Sequence, residues 1–531
     1  METFAKCPAL RVCGHCPLME HPYRKQLEML NKHLYTVFSP YTPFVEPIIG
    51  MEQMEGFLSA VQVDFGRDWS GSFKTGLLSA NQGQFLAIKA CMLRNPILER
   101  MITSIRKLAT RVGIASSFPA SKLSLRISRN EEEVLLCFTL MRAIDSSFSS
   151  FLHTIRREHP KVIGITVCDA SGEPTLFWGR PYLQETLCSL QFHLPPTSDF
   201  PPCPSQTEVL YERVMNLAPV KEGQAVIDLT TMHGIFALLA AKAGAGKVLL
   251  LQEHTPFTNE AALNGEEHIL RMVGDNEKHL RHLAKRREYW DLLFLSPDET
   301  GATRSILDSV LVIKPKRIVY LSRSVRTLER DIQYLLQDQF YRLKTIQGVD
   351  MHPHREDLHV IAVLENTLII RPFQEREFLL LEHYLYEAIF VPEGEEPPPR
   401  SVLEDPSLKH YYQDFGKVGD YALLGELHGE IVGAVWTRLF LPDEQGYGYI
   451  DAETPEICIS VDAGHRNKGI GRRLMEEMCN ILEESGYEYV SLSVQKENPA
   501  HHLYSRVGFS VIGERGDALL MVKRLHAKKN P

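Results

Sequence analysis

Three groups of residues in this 531-residue chain have types and spacings that suit chemistry. The first is Arg466-Asn467-Lys468-Gly469-Ile470-Gly471-Arg472, between an apolar run at 456–461 and an amphipathic stretch from about 471 to 485. Glycines there let the backbone approach a ligand. The free N–H groups of a helix start, helped by Arg and Lys, then suit a pyrophosphate. The second group is Cys7, Cys13 and Cys16, a C-x(5)-C-x(2)-C loop with Pro8, Gly14 and Pro17, where thiolates can converge on one centre. Three cysteines leave a tetrahedral thiolate site one ligand short. The third is His352, His354 and His359, whose loose spacing argues against a metal site.

The elements that must position the first group read clearly. Residues 456–461 form a strand, and Leu474, Met475, Met478, Ile481 and Leu482 make the buried stripe of the following helix. Residues 489–494 form another strand, Asn498-Pro499-Ala500 opens a short helix with Leu503-Tyr504, and Gly508-Phe509 leads into a further strand. Upstream, 366–371 is a strand, and 421–427 and 430–439 form a hairpin around His428-Gly429. This order over 366–531 resembles the GNAT family of acetyl-CoA-dependent N-acetyltransferases, whose R/Q-x-x-G-x-G/A motif and N-x-x-A-x-x-x-Y segment the chain matches here.

The resemblance implies a chemistry and its residues. Transfer of acetyl from a thioester to an amine needs a neutral amine, a polarised carbonyl and a proton donor for the leaving thiolate. The strand with Ile459, Ser460 and Val461 would splay from 491–493, and Ile459 and Val461 would present backbone amides to acetyl-CoA. Arg466, Lys468, Gly469, Ile470, Gly471 and Arg472 would hold the pyrophosphate. Asn498 would position the pantetheine arm or a water, Tyr504 would protonate the CoA sulfur, and Glu456 would act as general base. Trp436, Arg438, Tyr447, Tyr449 and the acidic proline loop 393–399 would shape the acceptor pocket. A hairpin at Gly446-Tyr447-Gly448-Tyr449 would close over the acceptor, whose identity the sequence leaves open.

The N-terminal cysteines carry a second resemblance. Cys-Pro-x(4)-Cys-Gly-x-Cys-Pro, followed by His21-Pro22-Tyr23 and a helix with Gln26 and Leu27, is similar to the iron–sulfur loop of the 5-methyluridine RNA methyltransferases. That family implies a fourth ligand after the next β-rich segment, here Cys91. Cys7, Cys13, Cys16 and Cys91 are thus the expected ligands of a [4Fe-4S] cluster, with zinc as runner-up. Cys137, Cys168, Cys458 and Cys479 read as core residues.

The same resemblance extends to about residue 365 and implies a Rossmann-like sheet with strands at 225–229, 247–252, 292–295 and 317–321, and a helix at 235–241. Asp228 and Glu253 match family acidic positions. The S-adenosylmethionine turn reads Thr230-Thr231-Met232-His233-Gly234, with one glycine left and Met and His taking up the space, which weakens the expectation of that cofactor. C5 methylation of uracil needs a thiolate and a base. In Ser322-Arg323-Ser324-Val325-Arg326-Thr327-Leu328-Glu329-Arg330-Asp331, Arg323 stands in the nucleophile's place, and His359 stands where the base is a Glu. An Arg stays protonated and cannot add to the ring. Loss of methylation chemistry is expected.

The bounds agree with these readings. An apolar fraction of 44% and a charged fraction of 24% are those of an ordinary globular protein of several domains. No apolar run suits a membrane span, no signal-peptide pattern is seen, and a cytoplasmic location is expected. The net charge of −9 makes any nucleic-acid contact local. The expected architecture is α/β: a cysteine loop and helix at 1–45, an α+β region at 46–204, a degenerate Rossmann-like domain at 205–365, and a mixed, splayed GNAT sheet at 366–531. The expected function is N-acetyl transfer by a chain with an iron–sulfur, methyltransferase-derived accessory half, with RNA (tRNA or rRNA) as the partner class. Two alternatives stand beside it: an RNA uracil-5-methyltransferase with a relocated nucleophile, for instance Cys203, and a non-enzymatic RNA-binding or sensing protein.

Overall fold

The structure is a computed structural model. It describes residues 7, 9–78, 84–169, 174–198, 200–230, 234–253, 260–266, 268–286, 288, 290–337, 340–392 and 394–525. Two compact units divide the chain, Met1–Glu365 and Asn366–Pro531. No helix among the described residues is long and apolar enough to cross a membrane.

The first unit contains an eight-stranded sheet. Its spatial order is Val45–Ile49, Tyr341–Val349, His359–Asn366, Arg317–Ser322, Leu292–Ser296, Ala225–Thr230, Lys247–Gln252 and Leu270–Val273. The five strands from Arg317–Ser322 to Leu270–Val273 run parallel, and His359–Asn366 pairs antiparallel to Arg317–Ser322. Leu292–Ser296 is buried at every residue, as a strand must be when helices cover both faces. The helix Tyr23–Phe38 buries Gln26, Leu30, Leu34 and Phe38, one per turn along a single stripe. That stripe joins the core of this sheet, together with Leu295, Ile332 and Leu335. Residues 23–49, placed from sequence in the separate N-terminal segment and the start of the next, therefore pack as part of the Rossmann-like layer.

A second sheet orders Phe85–Ala87, Phe73–Leu78, Ala60–Arg67, Ala120–Ile127, Val134–Leu140, Val162–Cys168 and Pro174–Gly179. The helices Pro96–Arg111 and Ser146–Glu158 lay apolar stripes on it, closing a core with Phe118, Phe138, Phe148 and Phe151. Asn95 and Asp145 cap these helices through their side chains.

The second unit is a seven-stranded mixed sheet ordered Leu368–Pro372, Tyr421–Leu427, Glu430–Arg438, Glu456–Val461, Tyr489–Gln495, Ala518–Arg524 and Ser510–Arg515. His428 (φ 54°) and Gly429 (φ 88°) make the two-residue turn that the right-handed twist of a hairpin favours. Glu456–Val461 and Tyr489–Gln495 are parallel and share a single rung, Glu456 with Ser491. Beyond it the sheet opens. The expected mixed, splayed sheet is present.

Candidate active site and cysteine cavity

The opening between Glu456–Val461 and Tyr489–Gln495 organises the second unit. Asp462 donates its N–H to Val432 across the antiparallel pair at 3.0 Å. Hydrogen bonding alternates along such a strand, so the Ser460 and Cys458 amides face the hairpin, and those of Ile459 and Val461 face the gap. The helix Ile470–Glu484 begins at the same end, with Gly469 as its left-handed N-cap (φ 86°). The first bond across this start runs from Arg473 N–H to Gly469 O, at 3.2 Å. The amides of Ile470, Gly471 and Arg472 are thus left without an intrahelical acceptor.

The cations of this loop are not equivalent. Arg466 donates Nε to the Val461 carbonyl at 2.8 Å and approaches Glu387, stapling the loop to the strand. Arg472 pairs with Glu476 one turn along, at 2.8 Å. Lys468 forms no hydrogen bond or ion pair among the described residues. The cradle is therefore one of amides with Lys468 beside it, and the two arginines brace it. Asn498 is likewise engaged, its Oδ1 accepting the Ala500 N–H at 2.9 Å just ahead of the helix Ala500–Val507, whose N-cap is Pro499. It stands two residues before Ala500 and six before Tyr504, so the match expected to N-x-x-A-x-x-x-Y is one residue short at Asn498.

Glu456 is 4% exposed. Its Oε1 accepts the Tyr411 hydroxyl at 2.7 Å and the Gly448 N–H at 2.8 Å, while Oε2 is buried with no hydrogen-bond partner. Burial pushes this carboxyl up to about 7, against the pull of those two donors and of Arg515. Tyr504 is buried, with its hydroxyl unpaired among the described residues, and burial raises it above the usual tyrosine range. Cys458 acts electrostatically on both Tyr411 and Tyr504 and feels Glu456. One thiol thus lies near groups from three different elements.

The aromatic segment 446–449 is an irregular loop, not the expected hairpin. It is clamped from below by Tyr411, whose hydroxyl accepts the Tyr447 N–H at 2.7 Å. From the side, Arg515 donates to the carbonyls of Tyr447 and Tyr449 at 3.2 and 2.7 Å. A Cβ on Gly446 would come within 2.2 Å of Glu456 Oε2, so only glycine lets the loop close this tightly. Trp436 and Arg438, expected at the acceptor pocket, are core residues. The Trp436 indole donates to Tyr411 O at 3.1 Å, and Arg438, 5% exposed, binds the carbonyls of His410 and Gln413 and faces Asp420. Tyr411 and Arg515 were not singled out from sequence, because their contacts to Glu456 and the loop span 36 to 68 residues of chain. The proline loop beyond Glu393, a residue outside the described ones, is fastened where Tyr386 donates to Pro398 O at 2.7 Å.

In the first unit Cys7, Cys13, Cys16 and Cys91 all line one cavity of about 320 Å³, walled by Leu10, Phe57 and Leu93, with His352 and Arg355 at its edge. Burial, then Cys91, Cys13 and Cys7, push the Cys16 thiol up to about 12. Four thiolates would collect here only together with a cationic centre. Among the described residues no group of three or more His, Cys, Asp or Glu is gathered closely enough to hold a single metal ion. The four thiols share this one cavity, which either expected centre would require. Cys203, the alternative nucleophile, is 2% exposed and packed among Met19, Met51 and Phe57 in the wall.

The residues at the methyltransferase positions sit near the carboxyl ends of the parallel strands, where such sheets bind ligands. Asp228 Oδ2 accepts the Ala237 N–H at 2.7 Å and ties the first strand to its helix. Residues 231–233 of the cofactor turn lie outside the described residues. Asp350 accepts the Tyr23 hydroxyl at 2.8 Å, and Gln26 accepts the His354 N–H at 3.0 Å. His354 is thereby a bracket for the N-terminal helix, which accounts for its place in the motif.

Residues 385–509 match the acetyltransferase (GNAT) family. The N-terminal part is similar to an uncharacterized RNA methyltransferase of Halalkalibacterium halodurans, 25% identical over 386 residues, covering 68% of this chain and 83% of that protein. An uncharacterized RNA methyltransferase of Listeria monocytogenes is 26% identical over 388 residues, with 68% and 83% covered. Among solved structures, the tRNA (uracil-54, C5)-methyltransferase of Pyrococcus abyssi, in complex with S-adenosyl-L-homocysteine, shares the fold with a TM-score of 0.52. It is 20% identical and covers 66% of this chain and 85% of that one. The chain carries a GNAT acetyltransferase domain joined to an N-terminal part homologous to RNA methyltransferases.

Proposed function

We propose that the chain is an acetyl-CoA-dependent N-acetyltransferase whose N-terminal half holds a [4Fe-4S] cluster on a methyltransferase-derived scaffold, acting on RNA or an RNA-associated amine. The observation that carries the reading is the single-rung pairing of Glu456 with Ser491. It leaves a gap edged by the Ile459 and Val461 amides, closed at one end by the glycine-capped helix start and flanked by Glu456 and Tyr504. In this reading the thioester lies along those amides and its diphosphate meets Lys468 and the amides of Ile470, Gly471 and Arg472. Glu456 Oε2 takes the proton of the incoming amine, directly or through water, and Tyr504 returns one to the departing sulfur. Cys7, Cys13, Cys16 and Cys91 would hold the cluster, which supplies a structural staple or an electron-transfer centre when bound. Calorimetry on the full chain tests the acetyl-CoA site, with saturable binding expected. Heat no different from buffer would end the proposal. Acetylated nucleosides that disappear in a deletion strain would identify RNA as acceptor.

A second reading rests on the RNA methyltransferase relatives: methylation of uracil with S-adenosylmethionine. Arg323 and His359, in the places of nucleophile and base, speak against it, as does the burial of Cys203. Radiolabel transfer from S-adenosylmethionine to unmodified RNA decides between the two.

A further inference from the structure

Arg323 leaves the strand Arg317–Ser322 just before Ser324, the N-cap of the 12-residue helix Val325–Leu336. Ser324 Oγ accepts the Thr327 N–H at 3.3 Å. The Val325 and Arg326 amides are left free, as at any helix start. Arg323 is exposed, and its guanidinium forms no hydrogen bond or ion pair among the described residues. Asp298, the carboxylate on which it acts, is already held through Oδ1 by the Thr300 N–H and hydroxyl, at 2.8 and 2.6 Å.

His359 stands across from Arg323. The last antiparallel rung joins Ser322 to Val360, which puts His359 one residue beyond it on the Arg323 side. His359 is 7% exposed, and its Nδ1 is buried without a hydrogen-bond partner among the described residues. Its neighbours are accounted for: the His352 ring is 5.9 Å away, and His352 Nδ1 lies 3.2 Å from Asp357 Oδ2. Burial first, then His352 and Arg323, push His359 down to about 3 against the pull of Asp357. At neutral pH it is an uncharged ring with one N–H to donate.

We propose that Arg323, the Val325 and Arg326 amides and the His359 imidazole form a binding site for a phosphate group. Every group in the set donates and one is permanently charged, which matches the oxygens of a tetrahedral anion. It does not match a nucleobase edge, which presents donors and acceptors together. The set lies at the end of the strand Arg317–Ser322, where the chain turns into the helix Val325–Leu336. The phosphate can come from a small molecule or from an RNA backbone.

Full-length protein titrated with inorganic phosphate and, separately, with a short single-stranded RNA tests the site, using Arg323→Gln, Arg323→Lys and His359→Phe. Arg323→Gln should weaken binding by about tenfold or more, since a charge-assisted contact is lost. Arg323→Lys should fall between it and the parent, and His359→Phe should weaken binding while the melting temperature reports its folding. With RNA, Arg323→Gln should also lower the slope of log affinity against log salt by about 0.7. Saturable phosphate binding without RNA binding assigns the small-molecule source, and the reverse assigns RNA. Unchanged affinity for both probes in Arg323→Gln, or no binding of either to the parent at millimolar concentration, overturns the proposal. Acetyl-CoA binding is independent of this outcome.

Discussion

Glu456 concentrates the pH behaviour of the second unit. Its carboxyl is raised from 4.5 to about 7, so between those values the folded chain holds a proton that the unfolded chain has released. Stability therefore falls as pH rises through this window and levels off above about 7. Relative to Glu456→Gln, the parent should lose on the order of 3 kcal/mol across it, read by denaturant unfolding at both ends. Acetyl transfer should rise through the same midpoint and drop by about 100-fold or more in the variant. Tyr504→Phe should lower kcat by about 100-fold and leave acetyl-CoA affinity intact, because the hydroxyl has no hydrogen-bond partner to lose among the described residues. An unchanged kcat would remove Tyr504 from the mechanism. Among the cysteines, Cys16→Ser should abolish visible absorption after anaerobic purification, while Cys479→Ser, deep in a helix core, should keep it.

Elements decide how these groups are presented. Gly469 at φ 86° turns the chain into the helix Ile470–Glu484. An alanine there should cost about 1 kcal/mol of stability and weaken acetyl-CoA binding, because the left-handed cap sets where the amides point. Loop 445–450 works from the other side. In Gly446→Ala the new methyl group must push the loop off Glu456, water should reach the carboxylate, and the activity midpoint should shift from about 7 toward 4.5. A midpoint that stays put would show that burial of Glu456 does not depend on this loop. Arg466 on the Val461 carbonyl and Arg472 on Glu476 brace the turn from its two sides.

At the scale of the whole molecule, each unit has its own core, and ligands report on them separately. Acetyl-CoA at about a hundred times its Kd should stabilise the protein by about 2.7 kcal/mol, seen as a rise in melting temperature, while S-adenosylmethionine should leave the melt unmoved. A shift with S-adenosylmethionine instead would favour the methyltransferase reading. The presence of Tyr23, Gln26, Leu30 and Leu34 in the Rossmann-like layer joins the cysteine loop to that core. On the proposed reading, loss of the cluster should therefore lower the melting temperature of the first unit and not only loosen its first residues.

Much of this was legible in linear order. Helix starts, strand runs and the glycine turn depend on neighbours within a few residues, so Glu456–Val461, Ile470–Glu484 and the Rossmann strands could be read directly from spacing and apolar pattern. The replacements at Arg323 and His359 were legible for the same reason. Tertiary structure alone decided which side chains were already engaged: Arg438 in the core, Arg466 on a carbonyl, Glu456 under a loop held by Tyr411 and Arg515. It also placed Cys91 and His352 on one cavity and left His359 unpartnered beside Arg323. Burial and hydrogen-bond satisfaction are properties of contacts between residues far apart in the chain, and no local pattern encodes them.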